Sequence, residues 1–103
     1  MVQIIVFIPE DHKESVKEAM FNAGAGSLGN YDHCCFEHTG LGQFRPLANS
    51  NAFIGTIGKV ERVSEVRVEM CCEEKNLPKV IEAMKEAHPY ETPAYYSTQT
   101  LNI

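Results

Sequence analysis

The sequence predicts an α+β fold of the ferredoxin-like kind, β-α-β-β-α-β. In that plan an antiparallel sheet carries both helices on one face, and here a long connection joins the second and third strands. Three observations predict it. Strand-like alternation and helix-like stripes succeed one another in that order. Each helical stripe closes at a Gly or Pro turn that ends in a Tyr. The two halves also repeat weakly: an offset of 64 residues superposes Val16, Glu18, Ala19, Met20 and Ala23 on Val80, Glu82, Ala83, Met84 and Ala87, and Tyr31 on Tyr95.

Val2 to Ile8 reads as a central strand, because Val2, Ile4, Val6 and Ile8 face one way while Ile5 and Phe7 occupy the other side. Pro9 ends it. Asp11 stands three residues before Glu14, the spacing of a capping box, and Val16, Ala19, Met20 and Ala23 then form a helical stripe. Gly24 to Gly29 matches G-x-G-x-x-G. A dinucleotide motif must follow a strand and open a helix, whereas these glycines close a helix, where exposed carbonyls repel phosphate. They are expected to supply a C-cap and turns of positive φ. Tyr31 to Glu37 reads as the second strand and Thr39 to Gly58 as the long connection, more apolar than a solvated loop. Glu61 to Cys72 alternates as the third strand, with a charged row of Glu61, Glu65, Arg67 and Glu69. Asn76 is placed to cap the second helix, whose stripe is Leu77, Val80, Ile81, Met84 and Ala87. Pro89 stops it at His88. Tyr95 to Leu101 is the last strand. In this topology the turn after each helix sits at a different end of the sheet, about 20 Å apart. The two could share a pocket only across two subunits.

A chain of 103 residues suits a single domain, 1–103, with one modest core. Its 44% hydrophobic and 22% charged residues are those of a folded globule. A net charge of −5 with no run of Lys or Arg argues against nucleic acid. No apolar run is long enough for a membrane span and nothing reads as a signal peptide, so a cytoplasmic location with reduced thiols is expected for the four Cys.

Two groups of residues carry potential chemistry. His88, Tyr90 and Glu91 put an imidazole, a phenol and a carboxylate within one turn, with Tyr95 just beyond. Those residues, with Gly26, Gly29, Asn30 and Tyr31 of the first post-helix turn, are the candidate ligand-binding set. His88 is equally suited to capping carbonyls at a helix end, with Pro89 and Pro93 simply fixing the turn. His33, Cys34, His38 and Cys71 are candidates for binding zinc or copper if the second and third strands form a hairpin. Adjacent Cys on a strand point to opposite faces, and structural zinc motifs separate their Cys by two or more residues, so buried small hydrophobes are the simpler reading. A Cys nucleophile beside His33 or His38 has no recognisable signature.

The stretches GAGSLGNYDHCCF, TGLGQFRP, IGTIGKVERVSEVRVE and HPYETPAY together resemble the YqfO-type domain. That domain is inserted in bacterial Nif-three-like proteins, the GTP cyclohydrolase I type 2 homologue group, and is similar in fold to CutA and PII signalling proteins. The resemblance implies a homo-oligomer, dimer or trimer, that binds a small molecule or ion at subunit interfaces. In the family the paired metals and presumed hydrolytic site belong to the flanking segments, so this stretch is expected to be non-catalytic. The family continues PAY with Asp where this chain has Tyr96, so any ligand role of that acid is lost. Two other roles remain open: a metal-binding tolerance protein, and a protein-interaction partner acting through residues 39–58.

Overall fold

The computed structural model describes residues 1–101 of the 103. Strand β1 (Val2–Pro9) passes through a 3-10 turn, Glu10–His12, into helix α1 (Lys13–Asn22). Strands β2 (Phe36–Phe44) and β3 (Glu61–Cys72) follow. A second 3-10 turn, Glu74–Asn76, then leads to helix α2 (Leu77–Ala87) and strand β4 (Tyr95–Gln99). The strands lie in the order β2-β3-β1-β4 and every neighbouring pair is antiparallel, which is the expected ferredoxin-like sheet.

β1 is the strand around which the layers form. Its β-branched residues suit the pleat, and Val2, Ile4, Val6 and Ile8 stand opposite Cys72, Met70, Val68 and Val66 of β3. These side chains are buried with Val16 and Met20 of α1 and Val80 and Met84 of α2. Burying each large side chain is worth about 1.5–3 kcal/mol, so this single seam holds the two layers together. α1 also reaches the edge of the sheet through charge: Lys17 Nζ lies 2.6 Å and Lys13 Nζ 3.0 Å from the Glu37 carboxylate on β2.

Among the described residues no helix covers the other face of the sheet. The pairing puts Gln3, Ile5 and Phe7 of β1 there, beside Glu69 and Arg67 of β3, Phe36 and His38 of β2, and Tyr96 of β4. Phe36 is 65% and Tyr96 60% exposed. Tyr96 meets Phe7 edge to face at 6.3 Å.

Several boundaries differ from the sequence reading. β2 starts at Phe36, not Tyr31, and runs on to Phe44, so the connection to β3 spans residues 45–60 rather than 39–58. Pairing with residues 61–69 of β3 extends β2 through its two glycines. Residues 31–35 are held out of the sheet instead: His33 takes φ +56°, and the Cys34 N–H donates to the Gly26 carbonyl at 2.9 Å. Asp11 and Glu14 form no capping box, because the 3-10 turn already contains Asp11 and His12 takes the N-cap without a side-chain bond. Asn76 does occupy the N-cap of α2 but makes no capping bond. Its side chain lies against Gly24. β1 includes Pro9, and β4 ends at Gln99.

The two post-helix turns are anchored at opposite ends of β1. The Gly26 N–H donates to the Cys71 carbonyl at 2.7 Å, and Cys71 stands opposite Gln3. The second turn is tied to Phe7, whose N–H donates to the Ala94 carbonyl at 3.2 Å. Four strand residues, about 13 Å, separate these anchor points.

Gly26 and Gly29 both have positive φ, +82° and +56°. They differ in surroundings, since a Cβ on Gly26 would sit 2.7 Å from the Phe21 ring and 3.1 Å from the Cys34 nitrogen, whereas Gly29 has open space. Gly26→Ala is therefore expected to destabilise the fold well beyond the about 1–3 kcal/mol of backbone strain that Gly29→Ala carries alone. Urea unfolding of both variants checks this, and equal losses would contradict it.

Candidate functional site

The turn after α2 builds one end of a groove. α2 stops at His88, where Pro89 prevents continuation, and the His88 ring turns inward to 6% exposure. Its Nε2 lies 2.8 Å from the Phe7 carbonyl, and the Tyr90 N–H donates to its Nδ1 at 3.1 Å. One nitrogen must donate and the other accept, so this pair of partners fixes the neutral Nε2–H tautomer. Burial pushes the His88 pKa down, only partly opposed by the bond to Phe7, and nearby His12 lowers it further.

His88 thereby positions Tyr90, whose ring packs against it at 5.0 Å and against Phe44 of β2 at 5.9 Å. Phe53, from the 45–60 connection, completes an aromatic wall 6.4 Å from Tyr90 and stands edge-on to His12 at 5.5 Å. The groove between them has a volume of about 230 Å³ and is lined also by Pro46, Ile54, Glu65 and Glu91. The connection closes over it as a strap. The Gly58 N–H donates to the Pro46 carbonyl at 2.8 Å, and the Asn51 N–H donates to Glu91 Oε2 at 3.0 Å, across the groove mouth.

Its polar groups are unusual. The Tyr90 hydroxyl is buried and has no hydrogen bond of ordinary geometry among the described residues. It faces the Glu65 carboxylate, and burial together with that charge pushes the phenol up to about 12. Burial raises the Glu65 pKa as well, with the Tyr90 hydroxyl opposing the rise. Glu65 belongs to the row expected to be solvated. Instead its side chain leans across β2, and a Cβ on Gly42 would fall onto Glu65 Oε1.

Of the candidate ligand-binding residues, Tyr90 and Glu91 line this groove. His88 supports it from behind with both ring nitrogens engaged. Tyr95 points to the helix layer, beneath Lys85 Nζ at 5.4 Å. Gly26, Gly29, Asn30 and Tyr31 lie at the opposite end, where Leu28 and Tyr31 bond each other across a tight turn at 2.8 and 2.9 Å and Tyr31 is 76% exposed. The structure does not gather His33, Cys34, His38 and Cys71. His33 contacts Asp32 and Glu18 at 3.3 and 3.4 Å, which raise its pKa, with Asp32 the stronger influence. His38 packs on Phe36, and Cys71 pairs with Gln3. Among the described residues no cluster of three or more His, Cys, Asp or Glu could hold a metal ion. The sequence reading missed Phe44, Phe53, Glu65 and Gly42. The alternating glycines of β2, Gly40 and Gly42, were the available signal, since glycine in a strand marks a close approach.

Comparison with solved structures decides the fold. CutA1 from Pyrococcus horikoshii superposes over 100% of this chain and 86% of its own, with TM-score 0.69 at 20% identity. This is a CutA1-like fold. The family described as CutA1 divalent ion tolerance protein matches residues 55–103, which include β3, α2 and the HPYETPAY turn. The sequence of this CutA1-like chain is more similar to a part of larger proteins. It is 43% identical over 95 residues to a GTP cyclohydrolase 1 type 2 homolog of Halalkalibacterium halodurans, covering 92% of the chain and 26% of that protein. It also superposes with TM-score 0.84 and 42% identity on a Bacillus cereus protein related to NIF3, covering 98% of this chain and 26% of the other. The resemblance to the insert of the Nif-three-like group holds, and the chain spans about a quarter of the length of these relatives.

In this chain His88 is neutral when folded and has a pKa below the ordinary value of about 6.5. The unfolded chain takes up this proton first on acidification, so the contribution of His88 is complete above about pH 6.5 and is lost as pH falls through the lower folded value. His88→Gln is expected to remove that part of the acid destabilisation. Urea midpoints of both proteins between pH 5 and 8 check it, and parallel curves would show that His88 does not titrate as described.

Proposed function

We propose that this chain is a non-catalytic CutA1/PII-like module that self-associates and binds a small ligand or ion where its copies meet. One observation carries the reading: the helices cover a single face of the sheet and leave Phe36 and Tyr96 exposed around half-buried Ile5 and Phe7 on the other. An antiparallel sheet can leave one face to water, but that face then reads as polar. Exposed aromatic residues on that face favour a protein partner, and a second copy supplies a matching one. The extended shape agrees. The radius of gyration is 14.5 Å, against about 13 Å for a compact chain of this length.

Two turns at opposite ends of each protomer support placing the ligand at a junction of copies, with Tyr90 and Glu91 of one near Tyr31 of another. The four thiols are free, which suits a reducing cytoplasm. A second reading, in which the strap docks another protein, draws on exposed Leu47, Ile57 and Val60.

Light scattering and native mass measurement on the purified chain are expected to give a dimer or trimer at tens of micromolar, and Phe36→Asp with Tyr96→Asp to give monomers that still melt cooperatively. A wild-type chain that is monomeric throughout would end the self-association reading and leave the strap as the candidate docking surface.

A further inference from the structure

We propose that the groove beneath the 45–60 strap takes a small organic cation, a protonated primary amine on an apolar or aromatic body. This rests on the ligand-binding reading above and names the ligand class for the groove that holds Tyr90 and Glu91, the residues that reading places where copies meet.

Charge decides the sign of the ligand. Glu65 and Glu91 line the groove, and none of the described residues lining it is Lys, Arg or His. A phosphate or carboxylate would enter against two carboxylates with no cation to receive it, and like charges a few ångströms apart in a partly dehydrated site repel by several kcal/mol. An ammonium meets the reverse situation. It brings three N–H donors to the Glu65 carboxylate, to Glu91 Oε1, whose neighbouring Oε2 holds Asn51, and to the oxygen of the buried Tyr90 hydroxyl, which faces the Glu65 carboxylate. Burial raises the Glu65 pKa, with the Tyr90 hydroxyl opposing it, and no cation is among the groups that act on it, so an entering ammonium meets a carboxylate whose charge is uncompensated.

The walls decide between an organic cation and a metal. Phe44, Phe53 and Tyr90 present ring surface to the groove, which suits a hydrocarbon body and attracts an ammonium to the ring faces. A divalent metal is held by several ligand groups converging on one point, and no cluster of three or more His, Cys, Asp or Glu exists among the described residues. The volume of about 230 Å³ lies below the 300–1,000 Å³ common for drug-sized ligands, so the body is small.

Gly42 is the positioning residue of this arrangement. Only a residue without Cβ lets the Glu65 side chain cross β2, and Gly42 does not have positive φ, so Ala fits its backbone. The three atoms nearest a Cβ there all belong to the Glu65 side chain, so Gly42→Ala displaces a flexible carboxylate.

Thermal shift and calorimetry on the full chain test the proposal with benzylamine, its neutral analogue benzyl alcohol, benzoate, inorganic phosphate and magnesium chloride. Benzylamine is expected to bind and to raise the melting temperature, with benzyl alcohol at least tenfold weaker and the two anions inert. Glu65→Gln and Gly42→Ala are each expected to weaken benzylamine tenfold or more while leaving subunit number unchanged. Tyr90→Phe, which removes only the hydroxyl, is a further variant expected to weaken it should either of those fail to fold. Binding of benzoate or phosphate in preference to the amine, or of magnesium alone, overturns the cation assignment and leaves the ligand-binding reading standing. Amine binding that is indifferent to all three substitutions places it outside this groove and overturns the proposal. A chain that responds to none of the five probes loses the cation assignment, and its measured subunit number still decides self-association separately.

Discussion

The hydrogen-bond ladders along both edges of β1 are the constraint from which the architecture follows. β3 pairs with it from Val2 to Pro9 and β4 from Val2 to Val6, both antiparallel. A strand held on both edges cannot slip by one residue without turning Ile4, Val6 and Ile8 out of the core. That register decides which face the helices cover. The same pairing sends β1 and β2 in one direction and β3 and β4 in the other, which carries the glycine turn and the His88 turn to opposite ends. Neither turn has any choice in the matter, because each is bonded to a sheet backbone group, Cys71 in one case and Phe7 in the other.

At the second of these ends the core passes directly into the groove. Phe7 sits on β1, its carbonyl orients His88, and His88 in turn accepts the Tyr90 N–H. The aromatic wall is therefore fixed to a central strand of the sheet through two hydrogen bonds. Its opposite side comes from the strap, which is held by backbone bonds of its own and by Glu91. One rigid wall and one lightly held wall is an arrangement that admits a ligand without disturbing the fold. The glycines divide their work along the same line: Gly26 serves the packing of Phe21, whereas Gly42 makes room for a carboxylate.

The relatives place this unit in context. About a quarter of a much longer protein corresponds to it at 43% identity, and the CutA1 fold corresponds to nearly all of it at about half that identity. What the second comparison shares is the layer plan alone. Two helices over one face of a four-stranded sheet can be built from many core sequences, provided volume and alternation are kept. Groove chemistry is not carried by that plan, and Phe44, Phe53, Glu65 and Tyr90 must be read from this chain itself.

Local patterning determined most of the architecture. The alternation of Val2 to Ile8 and of Glu61 to Cys72, the stripes around Met20 and Met84, and the Pro89 stop are short-range signals, and each element formed where its pattern lay. β2 was not legible because it is an edge strand. Both faces of Thr39 to Gln43 are largely open, two glycines dilute its strand propensity, and only the length of β3 decides how far the pairing runs. Residues 31–35 look more strand-like and yet form a bend, because Gly26 claims the Cys34 N–H. The sequence by itself thus determined the elements, their order, and the chemistry of the Tyr90–Glu91 turn. Only the tertiary structure decided that His88 is a buried support rather than a ligand group, and that Glu65 leaves its solvated row for the groove. The physical reason is that both depend on partners far along the chain, Phe7 and Gly42, whose approach no local pattern records.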